Sequence, residues 1–191
     1  IPSRLTGDVV AGSDSGAHGT HVAGIAAGND IAGQAGWDGI APGAVLLSLK
    51  IGNNALAGAA TESDSMQNAL RFAAQWGREH RMPVVVNLSY GIGSEIEGYS
   101  RIDSFCERFA IENPHVVIVT SAGNQGPGMS TVGTPAASDG VISVAAVETP
   151  ANAGGLTGAA TSGGVKVFGF SSRGGELAKP DVAAPGVAAS T

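Results

Sequence analysis

Cysteine is all but missing from this sequence of 191 residues: Cys106 stands alone, so no internal disulfide can form. Its flanks Phe105 and Phe109 place it on a helix face packed against a core, which reads as a buried thiol rather than a reactive one. Basic charge is also scarce, with 10 Lys and Arg against 16 Asp and Glu and a net charge of -6. No basic run occurs, which argues against a phosphate backbone, and hence nucleic acid, as partner. Long apolar runs are lacking too. No stretch reaches the roughly 18 to 20 uncharged apolar residues of a membrane span, so no membrane is expected as partner. The start Ile1-Pro2-Ser3-Arg4 lacks the basic-then-apolar pattern of a signal peptide and reads as a cut boundary.

Glycine, by contrast, is abundant at 30 of 191 residues. That is about twice the usual share. The glycines form no low-complexity tract; they sit at the ends of apolar runs, where turns need positive φ or a backbone must come close to another group. A hydrophobic share of 43% allows one substantial core, and the length argues for a single domain over 1–191.

Apolar runs rich in β-branched residues recur at Val45 to Ile51, Val84 to Ser89, Val116 to Ser121 and Val141 to Val147. Each is nearly uninterrupted, which predicts strands buried on both faces. Helical patterns lie near His18 to Ala27, from about Ser63 to Glu79 and from about Ile102 to Asn113. Met66, Leu70, Phe72, Ala73 and Trp76 form the core stripe of the second. The alternation predicts an α/β fold in three layers around a parallel, doubly wound sheet. Segment 148–165 is small, polar and rich in glycine, and reads as an extended surface loop.

The densest chemical signal is Ala17-His18-Gly19-Thr20-His21-Val22-Ala23-Gly24-Ile25, a histidine where a loop turns into a helix. A general base must be held rigidly yet exposed, and the first turn of a helix does both. His18 is favoured over His21, because Val22 and Ile25 share its face while His21 lies about 300° round. Taken alone, such a histidine reads as a capping or packing residue. A zinc site is disfavoured: zinc helices space their histidines four apart with a glutamate between, and Gly19-Thr20 offers no ligand.

A second signal is the apolar strand Val116 to Thr120, which runs out through Ser121-Ala122-Gly123 to Asn124. In a parallel sheet ligands bind beyond the carboxyl ends of the strands. There the Asn124 amide can donate to a developing oxyanion, while Ser121, Ala122 and Gly123 leave room for a substrate side chain. Alone, an asparagine after a strand is a turn residue. A third signal is Val84 to Leu88 followed by Ser89, Tyr90 and Gly91, whose exposed end can pair with an extended peptide by adding a strand.

The runs His18 to Gly24, Asn87 to Gly91, Ser121 to Asn124, Phe170-Ser171-Ser172-Arg173-Gly174 and Lys179-Pro180-Asp181-Val182-Ala183-Ala184-Pro185-Gly186 resemble successive landmarks of the subtilisin-like serine peptidases. They come in family order and spacing. Thr131-Val132-Gly133-Thr134-Pro135-Ala136 and Ser89-Tyr90 are similar to the pyrolysin and tripeptidyl-peptidase II branch. The resemblance implies His18 as general base and Asn124 as oxyanion donor. It further implies Ser89, Tyr90 and Gly91 as a substrate-pairing strand, and Ser121, Ala122 and Gly123 as the wall of the first specificity pocket. It implies peptide or protein substrates, an acyl-enzyme mechanism, and no required cofactor. Structural calcium is a family habit for which no acidic loop here is dense enough to name ligands.

The departures are as informative. Asp8 and Asp14 stand too close to His18, and follow no strand, to be the family's orienting aspartate; no Gly-Thr-Ser-Met-Ala run supplies the nucleophilic serine. The chain is therefore expected to be the central part of a peptidase domain and inactive alone. Asp139-Gly140 stands where many relatives carry a proline. Two alternatives remain beside the endopeptidase: a tripeptidyl-type exopeptidase on the same fold, and a non-catalytic homologue acting as a binding module.

Overall fold

Residues 17–29, 33, 38–52, 63–93, 96–157 and 163–188 are described by the computed structural model. In chain order they form α1 (His18–Ala27), α2 (Ser63–His80), β1 (Val84–Leu88), α3 (Arg101–Glu112), β2 (Val116–Ser121), β3 (Ile142–Glu148), α4 (Pro150–Thr157), β4 (Lys166–Val167) and β5 (Val182–Pro185). They divide into two compact units, one running up to Arg71 and the other from Phe72 to Ala188.

In the first unit, α1 starts from Ala17 in the left-handed region, φ 54°, and spans the residues expected of it. Its last carbonyls need partners, since no further helical turn supplies N–H groups. The segment that returns to it provides them: Ile40 N–H donates to Ile25 O at 3.0 Å, Ala41 N–H to Ala26 O at 2.9 Å and Gly39 N–H to Gly28 O at 2.8 Å. The run Val45 to Ile51, expected to be a buried strand, forms no strand; Val45 is 61% exposed. An apolar β-branched run becomes a strand only where a neighbour completes its ladder, and none does so among the described residues.

Helix α2 crosses from one unit to the other and buries Met66, Leu70, Ala73 and Ala74, following the predicted stripe, while Phe72 and Trp76 are half-buried. Its C-terminal end is tied into the second unit. His115 Nε2 lies 2.9 Å from the Ala74 carbonyl, and Arg78 Nη1 donates to Asn113 Oδ1 at 2.6 Å. Helix α3 begins with a capping box in which the Ser100 side chain accepts from the Asp103 N–H and the Asp103 side chain from the Ser100 N–H. It stops at Asn113, because Pro114 disfavours helical geometry in the residue before it.

The sheet of the second unit has five strands. Strand β1 runs parallel to β2 (Val84 opposite Val116, Leu88 opposite Thr120), β2 parallel to β3 (Val119 opposite Ile142), and β3 parallel to β5 (Val144 opposite Val182). The short β4 is antiparallel to β3. The parallel α/β sheet expected from the sequence is thus present, with one antiparallel addition. Leu88, Ile118, Thr120, Ser143 and Ala145 lie on one face and are buried. Leu88 and Ile118 there each contribute roughly 1.5–3 kcal/mol. The other face departs from expectation: Val85, Val117, Ile142 and Val182 are exposed, Val85 by 72%, so burial alternates along the strands instead of covering both faces.

Segment 148–165 also differs from the expected loop, since Pro150–Thr157 is helical. Asn152 N–H donates to Thr149 Oγ1 at 3.3 Å and Ala153 N–H to Thr149 O at 3.0 Å, so Thr149 caps a helix whose first residue is proline.

Candidate active site

Strand β2 ends at Ser121, and the chain then makes a fixed turn. Ala122 is buried and gives its N–H to Val144 O at 2.9 Å, which leaves Ser121 exposed and Gly123 half-buried beyond the strand end. Gly123 has φ 112°. A Cβ there would come within 2.6 Å of Gln125 Oε1 and 2.7 Å of Ser172 Oγ, so both conformation and space call for glycine. Ser172, buried, locks the turn from behind: its N–H donates to Gly123 O at 3.0 Å, and its hydroxyl accepts the Gln125 N–H and donates to Gln125 Oε1, each at 3.1 Å. Asn124 N–H is given to Gln125 Oε1 at 2.9 Å. The Asn124 side chain is exposed, and its amide makes no hydrogen bond with any described residue. A donor is therefore held on a braced backbone with its N–H groups open to a ligand.

The register places the exit of β1 beside this turn. Leu88 is opposite Thr120, whose hydroxyl donates to Leu88 O at 2.9 Å, so Ser89, Tyr90 and Gly91 emerge next to Ser121, Ala122, Gly123 and Asn124 at the carboxyl edge of the sheet. Ser89 Oγ accepts from Asn87 Nδ2 at 2.9 Å. Ser89 and Gly91 are exposed and Tyr90 is half-buried. Just beyond, Ile92 and Thr134 exchange both backbone hydrogen bonds at 3.0 Å as an isolated antiparallel bridge.

His18 is the first residue of α1 in the other unit, exposed, with Val22 and Ile25 on its face half-buried; α1 buries no residue completely. His21 is exposed as well. Asp8 and Asp14 lie outside the described residues.

Residues 6–191 match the model of the family described as the subtilase family, peptidase S8. The chain belongs to the subtilase family. Among its curated relatives, tripeptidyl-peptidase 2 of Caenorhabditis elegans is 38% identical over 161 residues, 84% of this chain and 11% of that protein. Pyrolysin of Pyrococcus furiosus is 30% identical over 223 residues, 93% of this chain and 15% of that protein. The branch suggested by Ser89-Tyr90 and the Thr131 to Ala136 run is the one these relatives occupy. Among solved structures, a protease titled S41 Psychrophilic Protease superposes with a TM-score of 0.66 at 30% identity, covering 86% of this chain and 50% of that one. The subtilase chain thus spans about a tenth of the tripeptidyl-peptidase 2 relative and half of the solved protease, and it has the subtilisin-like α/β fold.

Two family landmarks acquire a structural reason in this subtilase. The Phe170 to Gly174 run is the brace of the asparagine turn, since Phe170 O accepts the Gly126 N–H at 2.9 Å and Ser172 holds Gln125. The Lys179-Pro180-Asp181 run fastens β5 to β3: Asp181 Oδ2 accepts from the Ser143 N–H at 2.7 Å and from Lys179 Nζ at 2.8 Å, and Lys179 Nζ also reaches Val141 O at 3.0 Å. Burial raises the Asp181 carboxyl, but the hydrogen bonds from Lys179 and Ser143 and the Lys179 charge outweigh it and hold it below the usual carboxylate range. Cys106 is buried, and its thiol is pushed up to about 12, by burial first and then by the charges of Asp103 and Glu107. Among the described residues no group of three His, Cys, Asp or Glu side chains is placed to hold a metal ion. The sequence alone does not point to Gln125 and Ser172 as supports of the turn: the landmark around Ser172 is visible in it, its partner is not.

Proposed function

We propose that the full-length protein is a serine endopeptidase that hydrolyses peptide bonds through an acyl-enzyme, with residues 1–191 as the central part of its peptidase domain. What carries the reading is the Asn124 turn: a side-chain amide free to donate, on a backbone braced by Ser172, at the carboxyl edge of a parallel sheet and beside an exposed strand end. In this scheme a serine outside these residues attacks the peptide carbonyl carbon. His18 takes its proton, and the Asn124 amide donates to the oxygen that gains charge. Collapse of the tetrahedral species expels the amine, which His18 protonates, and water then releases the acyl group by the same steps. An aspartate from elsewhere in the domain orients His18. The substrate backbone pairs with Ser89, Tyr90 and Gly91, and its side chain enters beside Ser121, Ala122 and Gly123.

A second reading, a tripeptidyl exopeptidase, is favoured by the 38% identity to a protein named tripeptidyl-peptidase 2. It requires acidic groups that hold a free amino terminus. Assaying the full-length protein on N-blocked and free peptides of one sequence separates the two: the endopeptidase cleaves both, the exopeptidase only the free one. The same assay tests the base. His18→Ala is expected to abolish most turnover, and His21→Ala to lower mainly the melting temperature. Equal loss of activity in two equally folded variants would remove His18 from its role.

A further inference from the structure

The capping box of α3 has a third arm. Asp103 is 0% exposed; its Oδ2 accepts the Ser100 N–H at 3.0 Å, and its Oδ1 accepts the Thr134 hydroxyl at 2.7 Å. Because Thr134 gives its hydrogen to the carboxylate, Ser100 Oγ, 2.9 Å away, donates to Thr134 Oγ1 while accepting the Asp103 N–H at 3.0 Å. Ser138 Oγ adds a hydrogen bond to the Asp103 carbonyl at 3.0 Å. A helix cap needs only the first two residues and works at the surface. Burying a carboxylate is costly unless every donor around it is in place, so the arm to Thr134 calls for a reason beyond starting a helix.

That reason lies one bond further on. Thr134 exchanges both backbone hydrogen bonds with Ile92, the residue directly after Ser89-Tyr90-Gly91, and a Cβ on Gly133 would collide with the Ile92 carbonyl, so the two segments are pressed together. We propose that Asp103 is a positioning residue for substrate binding: through the Thr134 hydroxyl and the Thr134–Ile92 bridge it fixes the segment on which an extended peptide pairs. The inference rests on the proposed role of Ser89, Tyr90 and Gly91 in holding substrate. Asp103 touches no reacting atom in this scheme; it acts by keeping a strand end in one place before the peptide arrives, which removes an ordering cost from binding.

The test uses the full-length protein with Thr134→Val, Thr134→Ser and Asp103→Asn. Two substrates are compared: an N-blocked peptide long enough to run along Ser89 to Gly91, and a blocked single-residue ester that does not reach them. Thr134→Val removes one buried hydroxyl and keeps both backbone bonds to Ile92, so it serves even where Asp103→Asn folds poorly. For Thr134→Val the KM of the long peptide is expected to rise about fivefold, the size of one buried hydrogen bond, with kcat and the ester KM within about twofold of the parent. Thr134→Ser, which retains the hydroxyl, restores the parent KM. An unchanged long-peptide KM, or a parallel rise for both substrates, overturns the proposal while leaving the peptidase reading intact. Should the parent cleave neither blocked substrate, the endopeptidase reading fails. Fluorescence anisotropy of the labelled long peptide then makes the same comparison. About fivefold weaker binding to Thr134→Val upholds the positioning role, and equal binding, or none to either protein, overturns it.

Discussion

Replacing Gly123 by alanine perturbs the asparagine turn at its tightest point, and the cost can be built from two terms. At φ 112° an L-residue is strained; occupying such a sparsely populated region costs about 1–3 kcal/mol. The new Cβ would also meet Ser172 Oγ at 2.7 Å and Gln125 Oε1 at 2.6 Å. Gln125 is exposed, so its amide can swing aside into water, which takes over the bonds that Oε1 accepts from the Asn124 N–H and the Ser172 hydroxyl. Ser172 is 1% exposed, and moving its hydroxyl gives up the bond from the Gln125 N–H, worth about 1 kcal/mol. Gly123→Ala should therefore destabilise by roughly 2–4 kcal/mol, a large fraction of the about 5–15 kcal/mol that holds a domain folded. Urea unfolding followed by circular dichroism measures it. Ser172→Ala provides the control, since the Ser172 Cβ lies 3.5 Å from the added carbon, an ordinary contact. On that background Gly123→Ala should cost only the backbone term, so the two substitutions should fall short of additivity by about 1 kcal/mol. Tolerance of Gly123→Ala to within about 0.5 kcal/mol, or full additivity, would refute this account of the turn.

Cys106 should resist iodoacetamide at pH 8 in the folded protein and react once urea unfolds it, because burial keeps its thiol neutral up to about pH 12; rapid labelling of the native state would contradict that. Asp181 has a lowered pKa in the folded state, so its contribution to stability is present above its unfolded value of about 3.9 and is lost as pH falls through the lower folded value. Asp181→Asn should flatten that acid limb of a stability–pH curve. Because 36% of the side chain is exposed, solvent screening keeps the change below about 1 kcal/mol. An unaltered acid limb would show that the Lys179–Asp181 contact contributes nothing.

Local chemistry was readable from the sequence, and pairing at a distance was not. Helix α1 could be placed because the glycine-bearing entry at His18 and the apolar spacing of Val22 and Ile25 are both local, and β1, β2 and β3 followed from their β-branched runs. Val45 to Ile51 is also an apolar run, though richer in leucine, and forms no strand, since composition says nothing about whether a neighbouring strand is in place. Helix α4 did have a local signal, threonine before proline at Thr149-Pro150, which the surrounding glycines obscured. The supports of the candidate site are of another kind. Ser172 meets Gln125 across 47 residues and Thr134 meets Asp103 across 31, and no period or motif announces either contact. Asn124 itself was legible as a residue delivered to the sheet edge, but the bracing that holds it there was not.

The reading of Asn124 as an oxyanion donor is tested most directly by kcat and KM for Asn124→Ala in the full-length protein, measured with thermal stability on the same preparation. The amide should matter to the transition state more than to bound substrate, because the carbonyl oxygen gains charge only as the tetrahedral species forms. The account predicts a fall in kcat on the order of 10² to 10³, the size of the effect at the corresponding donor of subtilisin, with KM nearly unchanged. Asn124→Asp should be at least as poor, since a carboxylate repels the oxyanion. A variant with a lowered melting temperature but near-normal kcat per folded molecule would contradict the account and leave Asn124 as a turn residue.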